Sequence, residues 1–178
     1  MITTIAITAS ATASHTKPHL NTLCTKRLPM KTLIVCESWH HGNTKKIADV
    51  MASVLHAEVI RPDDVKVEAL ADFDLIGFGA GIDRGKHYEG LLTVVDALPV
   101  LDKNAFVFST RGSPHLGSYH RSLNDKLMER GFAIVGEFSC RGFDTNGPLR
   151  FVGGIAKGRP NEEDLQHARE FAKTLTTL

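Results

Sequence analysis

The chain has 178 residues, 42% hydrophobic and 23% charged, with 21 basic and 20 acidic side chains and a formal charge of +1. That is enough apolar material for one globular domain with its own core. The near-neutral charge gives no electrostatic footprint for nucleic acid or an anionic membrane, and no apolar run approaches the ~20 residues needed to span a bilayer.

Residues 1–29 differ from the rest. They are rich in Thr, Ala and Ser, and the first acidic residue of the chain is Glu37. No helical or strand period is visible, so 1–29 reads as a disordered extension. It suits a transit peptide in being hydroxyl-rich and acid-poor, or a secretory signal, though the apolar part is broken by Thr and Ser. The favoured reading is a start at Met30, because a strand begins directly after it. The body, residues 30–178, then carries a small net negative charge.

Leu33-Ile34-Val35-Cys36 suits a buried strand, expected over Lys31–Cys36. The polar turn Glu37–Thr44 follows, then a helix over Asn43–Leu55 with Ile47, Met51, Val54 and Leu55 on one face. Such a turn gathers unpaired N–H groups at the positive end of a helix dipole and can take a phosphate. A second strand is expected over Ala57–Ile60, and a short helix over Asp63–Ala71. Asp74–Gly79 is a near-continuous apolar run suited to a buried parallel strand. The glycine-rich loop Ala80–His87 leads to a helix over Tyr88–Leu98. A fourth strand is expected over Ala105–Ser109, a turn-rich loop over Thr110–Ser118, and a helix over Tyr119–Arg130 that ends at Gly131. The fifth strand covers Phe132–Cys140. The long loop Arg141–Pro160 precedes a final helix capped by Asn161, with Asp164 completing a capping box.

Strand and helix alternate five times. The fold class is therefore α/β: a three-layer, doubly wound, five-stranded parallel sheet. Ligands in such sheets bind beyond the carboxyl ends of the strands. Three loops lie there, Glu37–Thr44, Ala80–His87 and Thr110–Ser118. The turn after the first strand lacks the nucleoside-triphosphate signature G-x-x-x-x-G-K-[ST] and the dinucleotide fingerprint G-x-G-x-x-G. Gly79 stands where a phosphoacceptor domain would need Asp. No His, Cys and Asp cluster has metal-ligand spacing. The three cysteines, Cys24, Cys36 and Cys140, form no C-x-x-C pair, and an odd count suits a reducing, cytoplasmic setting.

Four segments together resemble the flavodoxin-like family of flavin mononucleotide (FMN) proteins. They are Gly42-Asn43-Thr44 with Ser38 ahead of it, Gly77-Phe78-Gly79-Ala80-Gly81, Phe108-Ser109-Thr110-Arg111-Gly112, and Gly158-Arg159-Pro160-Asn161-Glu162-Glu163-Asp164. The likeness covers residues 30–178 and implies the strand order 2-1-3-4-5 and FMN as cofactor. His41 departs from the Thr usual in the family. In that order the first and fifth strands lie roughly 14 Å apart, too far for a Cys36–Cys140 disulfide.

On this resemblance the backbone of His41, Gly42, Asn43 and Thr44, with the hydroxyls of Ser38 and Thr44, would hold the phosphate. His40 and His41 would add charge there or stand as exposed turn residues. Trp39 would shield the ligand or, as favoured, pack on the surface. Ala80, Gly81 and Ile82 would lie along one flavin face, and Thr110, Arg111 and Gly112 would meet the pyrimidine edge. His115, Tyr119 and His120 would face a second substrate. The resemblance implies a redox protein that passes electrons to a partner protein or to a small acceptor such as a quinone. The weak acidity of the body favours a small flavin-dependent oxidoreductase over a pure electron carrier. The alternative is a binding or structural module of the same fold without flavin.

Overall fold

A computed structural model describes residues 30–114 and 117–177 of the chain. The expected N-terminal extension and His115 lie outside the described residues.

Strand β1 (Thr32–Glu37) is apolar on both faces, and Leu33, Ile34 and Val35 are all buried. A strand of that kind needs helices on both sides. Helix α1 (Asn43–Leu55) returns the chain to β2 (Glu58–Ile60), which pairs parallel with β1. Next come β3 (Leu75–Asp83), the two-residue β4 (Lys86–His87), α2 (Glu89–Ala97), β5 (Lys103–Arg111), α3 (Arg121–Glu129), β6 (Phe132–Arg141) and α4 (Glu162–Leu175). The sheet order is β2-β1-β3-β5-β6, with β4 attached to β3 alone. Leaving β4 aside, this is the expected 2-1-3-4-5 order, parallel throughout.

The core lies in two layers. One joins Val35, Phe78 and Val107 to Leu91, Val95, Leu123 and Leu127 of α2 and α3. The other joins Ile34, Phe106 and Phe108 to Met51 of α1 and Ala168, Ala172 and Leu175 of α4. Within it two phenylalanines of β5 lie across two glycines of β3. Gly77 is in register with Phe106 and Gly79 with Phe108. A Cβ at Gly77 would stand 2.2 Å from the Phe106 ring, and one at Gly79 would stand 2.1 Å from the Phe108 ring. The missing side chains are the space the rings occupy. Cys36 and Cys140 are buried and free, and burial first of all pushes both thiols up to about 12.

Some expected boundaries move. The helix expected over Asp63–Ala71 is two short 3-10 segments, Pro62–Asp64 and Val67–Asp72. Pro62 starts the first, and extended backbone at Val65 and Lys66 separates them. The third strand runs on past Gly79 to Asp83 and turns back as β4, so most of the expected loop Ala80–His87 is a hairpin. Its two turn residues, Arg84 and Gly85, both have positive φ, as a turn matched to strand twist requires. The fourth expected strand also extends, taking Thr110 and Arg111 into β5. The loop before α4 contains a 3-10 turn, Gly147–Val152, and a bridge between Asp144 and Ile155. The capping box at Asn161 and Asp164 is present in both directions. Among the described residues no helix is long and apolar enough to cross a membrane.

Candidate functional site

The parallel strands deliver three loops to one edge, and a cavity of about 200 Å³ opens between them. Of the twelve expected site residues, nine line it: Ser38, His40, Asn43 and Thr44 from the first turn, Gly81 and Ile82 from the hairpin, and Thr110, Arg111 and Gly112 from the end of β5. Ala80, His41 and Gly42 do not. Ala80 is fully buried within β3, between Glu37 and Ser109. His41 and Gly42 form the outer bend of the first turn, with φ of 56° and 65°. Tyr88, Asp144 and Asn146, outside those twelve, also line the cavity. They arrive through the hairpin and the long loop before α4, neither of which has a periodic signal.

The first turn opens a helix start to the cavity. Helix α1 starts at Asn43 without a side-chain cap and without an acidic residue in its first turn. The side chains that might have served are engaged elsewhere. Asn43 Nδ2 donates to the Phe143 carbonyl at 2.7 Å, and the Thr44 and Thr110 hydroxyls meet at 2.8 Å. The His41 ring is 2.9 Å from the Thr145 hydroxyl and lies against Phe143, with ring centroids 4.5 Å apart. The Asn43 N–H donates to the His40 carbonyl at 3.4 Å and the Lys46 N–H to the Gly42 carbonyl at 3.0 Å, so Thr44 and Lys45 carry the N–H groups of this turn open to an outside acceptor.

Glu37 is the one carboxylate that β1 brings to this edge, and it is drawn away. Its Oε2 accepts from the Leu91 N–H at 2.7 Å, which caps α2, and its Oε1 accepts from the Trp39 indole at 2.8 Å. Gly90 leaves room for it, since a Cβ there would come within 2.5 Å of Oε1. Trp39 stays 73% exposed at the cavity mouth.

Arg111 is only 7% exposed, and its buried Nε and Nη1 have no partner among the described residues. Unanswered buried donors cost about 1–3 kcal/mol each, so a site holding them is made for an acceptor. The Tyr88 ring lies against Gly81, where a Cβ would stand 2.6 Å away. Burial first, then Asp144, Asp83 and Glu37, push the Tyr88 hydroxyl up to about 12, so it stays a donor at neutral pH.

Below Tyr88, His87 is 1% exposed, and neither ring nitrogen has a hydrogen bond of good geometry among the described residues. Burial first, and then His120, push it down to about 3, against a small opposing effect of the Phe108 backbone. Between roughly pH 6.5 and 3 the unfolded chain holds this proton and the native protein does not. Stability then falls as pH falls. At 1.36 kcal/mol per unit, about 2 kcal/mol is lost between pH 6.5 and 5. Urea unfolding of the wild type should show this loss, and His87→Phe should reduce it. Equal slopes in both proteins would mean that another group carries the proton.

A family model, described as Flavodoxin domain, matches residues 33–145. An uncharacterized protein of Methanocaldococcus jannaschii is 45% identical over 147 residues, which is 82% of this chain and 98% of that protein. Among solved structures, oxidised Flavodoxin 1 from Bacillus cereus superposes with a TM-score of 0.61 at 24% identity, covering 83% of this chain and 98% of that one. A flavodoxin from the domain Archaea superposes with a TM-score of 0.58 at 20% identity, over 83% and 97%.

Proposed function

The chain belongs to the flavodoxin domain family, and from that premise we propose that it is a redox protein holding FMN non-covalently in the cavity at the carboxyl edge of the sheet. The observation that carries this reading is the pairing, in one cavity, of a helix start with no side-chain cap and the Arg111 Nε and Nη1 donors, which have no partner among the described residues. The residues present fit the cofactor at both of its polar ends. The first turn of α1, with the Ser38 hydroxyl, would solvate a phosphate dianion without a salt bridge. Thr110, Arg111 and Gly112 would meet the pyrimidine edge, where the positive Arg111 favours negative charge. Gly81 and Ile82 would lie along the ring, and Tyr88 would present its hydroxyl nearby. When bound, the flavin supplies one- and two-electron chemistry that no side chain here offers. The protein's part is to anchor the phosphate, orient the ring and keep Glu37 turned away.

The test is direct. The purified protein should take up one equivalent of FMN, read by the change in flavin fluorescence. Riboflavin, which lacks the phosphate, should bind roughly 30-fold more weakly if the helix start contributes about 2 kcal/mol. A protein that stays colourless after incubation with FMN would remove the reading. With flavin in place, rapid reduction by a nicotinamide and reoxidation by a quinone would mark a small oxidoreductase. Slow reduction, with fast exchange to a partner protein, would mark a carrier.

A further inference from the structure

Beneath the cavity, on the α2 and α3 side of the sheet, lies a polar cluster that the flavin reading does not use. Ser109 is fully buried, and its Oγ is 2.8 Å from His120 Nε2 and 3.0 Å from Ser139 Oγ. His120 Nδ1 is 2.7 Å from Glu137 Oε2, and the other Glu137 oxygen accepts from Asn124 Nδ2 at 2.9 Å. The His87 ring lies 5.1 Å from that of His120. A second opening, lined by His120, Glu137 and Ser139, gives solvent a route to this cluster, and Tyr119 lines both this opening and the cavity above.

The cluster can hold either protonation state of His120 without losing a hydrogen bond. In the neutral state Nδ1 donates to Glu137 and Nε2 accepts from the Ser109 hydroxyl. In the protonated state Nε2 donates to Ser109, whose own proton turns to Ser139. Arg111 from β5, Glu137 from β6 and His87 from β4 act on His120, and Tyr119, Arg121 and Asp125, beside it or on its own helix, line the same opening. Burial disfavours the protonated ring most, Glu137 favours it and Arg111 opposes it. His87 stays neutral and adds no repulsion at neutral pH. A negative charge placed in the cavity beside Arg111 offsets the opposing cation and raises the proton affinity of His120.

We propose that His120, held between Ser109 and Glu137, is the proton-holding residue of this site, taking a proton from water when the cavity gains negative charge and releasing it when that charge leaves. The proposal rests on the flavin reading above. Two electrons from a reductant such as dithionite, with one proton on the ring, leave the bound cofactor one unit more negative. The second proton passes from water to His120 Nε2, and the charge of the whole is unchanged over the cycle.

For a two-electron couple a tenfold change in equilibrium constant is about 30 mV. One proton taken up at His120 thus adds about 30 mV per pH unit to the slope of the midpoint potential, between the His120 titration points of oxidised and reduced protein. His120→Gln, which keeps the hydrogen-bonding capacity and removes the titration, should lose that added slope. In the wild type, the His120 ring nitrogens followed by NMR at fixed pH within that interval should pass from the neutral to the imidazolium pattern on reduction. An unchanged slope in His120→Gln, or ring resonances indifferent to reduction in the wild type, overturns the proton role and leaves the flavin reading standing. Failure to bind FMN at all overturns both.

Discussion

The expected result for Gly42→Asp is a protein that folds and remains colourless in FMN. Gly42 is the residue before α1, its φ is 65°, and none of the described residues comes within 4 Å of the place where a Cβ would stand. Asp tolerates left-handed backbone better than most residues, so the fold should survive. Gly42 lies on the outer bend, outside the cavity lining, so the new carboxylate acts as a negative charge in the same turn whose N–H groups are proposed to hold the phosphate. Two like charges 4 Å apart cost about 4 kcal/mol at the effective dielectric of a protein surface. That corresponds to a loss of affinity of roughly 1,000-fold, and the second phosphate charge adds to it. Gly42→Asn has nearly the same shape and no charge, and should keep FMN within about tenfold of the wild type. Both variants are read by the same fluorescence titration. If Asp and Asn bind alike, the phosphate lies elsewhere and the first turn is only a turn.

The second large effect is on stability. Gly79→Ala places a methyl within 2.4 Å of three atoms of the Phe108 ring, in the buried layer between the sheet and α1 and α4. The ring is fully buried and stacks on Phe106 at 6.0 Å, so it cannot swing aside without moving a second ring. Overpacking of this kind costs about 3 kcal/mol, and in a domain of this size that lowers Tm by about 6–12 °C. Phe108→Ala alone should cost about as much through the cavity it leaves. The double variant Gly79→Ala with Phe108→Ala should be less destabilised than the sum, because each change removes the other's fault. Strict additivity in urea unfolding would mean that the glycine and the ring do not share space.

The sheet was readable because parallel strands buried on both faces leave near-continuous apolar runs, and Leu33–Cys36 and Leu75–Gly79 are of that kind. The start of α4 was readable because Asn161 and Asp164 satisfy each other locally. Distant partners leave no such mark. Nothing around Glu37 says that its carboxylate caps a helix 54 residues later. Nothing around Ser109 announces His120, Ser139 and Glu137, which meet only after β5 and β6 pair. The strand ends also hid part of the site. Thr110 and Arg111 look like loop residues by their polarity, yet β6 pairs with them and buries them, and that burial leaves Arg111 with unanswered donors.

The clasp of the first turn by the loop before α4 has a consequence for assembly. Asn43 reaches Phe143 across 100 residues and His41 reaches Thr145 across 104. Contacts so far apart in sequence close only after the intervening chain has found its place, because the entropy of the long loop must be overcome first. During synthesis the first turn of α1 emerges early, but it acquires its final shape only when the last third of the chain has docked. The anion site proposed there thus depends on a contact made late, and a ribosome-bound chain that stops short of Phe143 lacks the clasp.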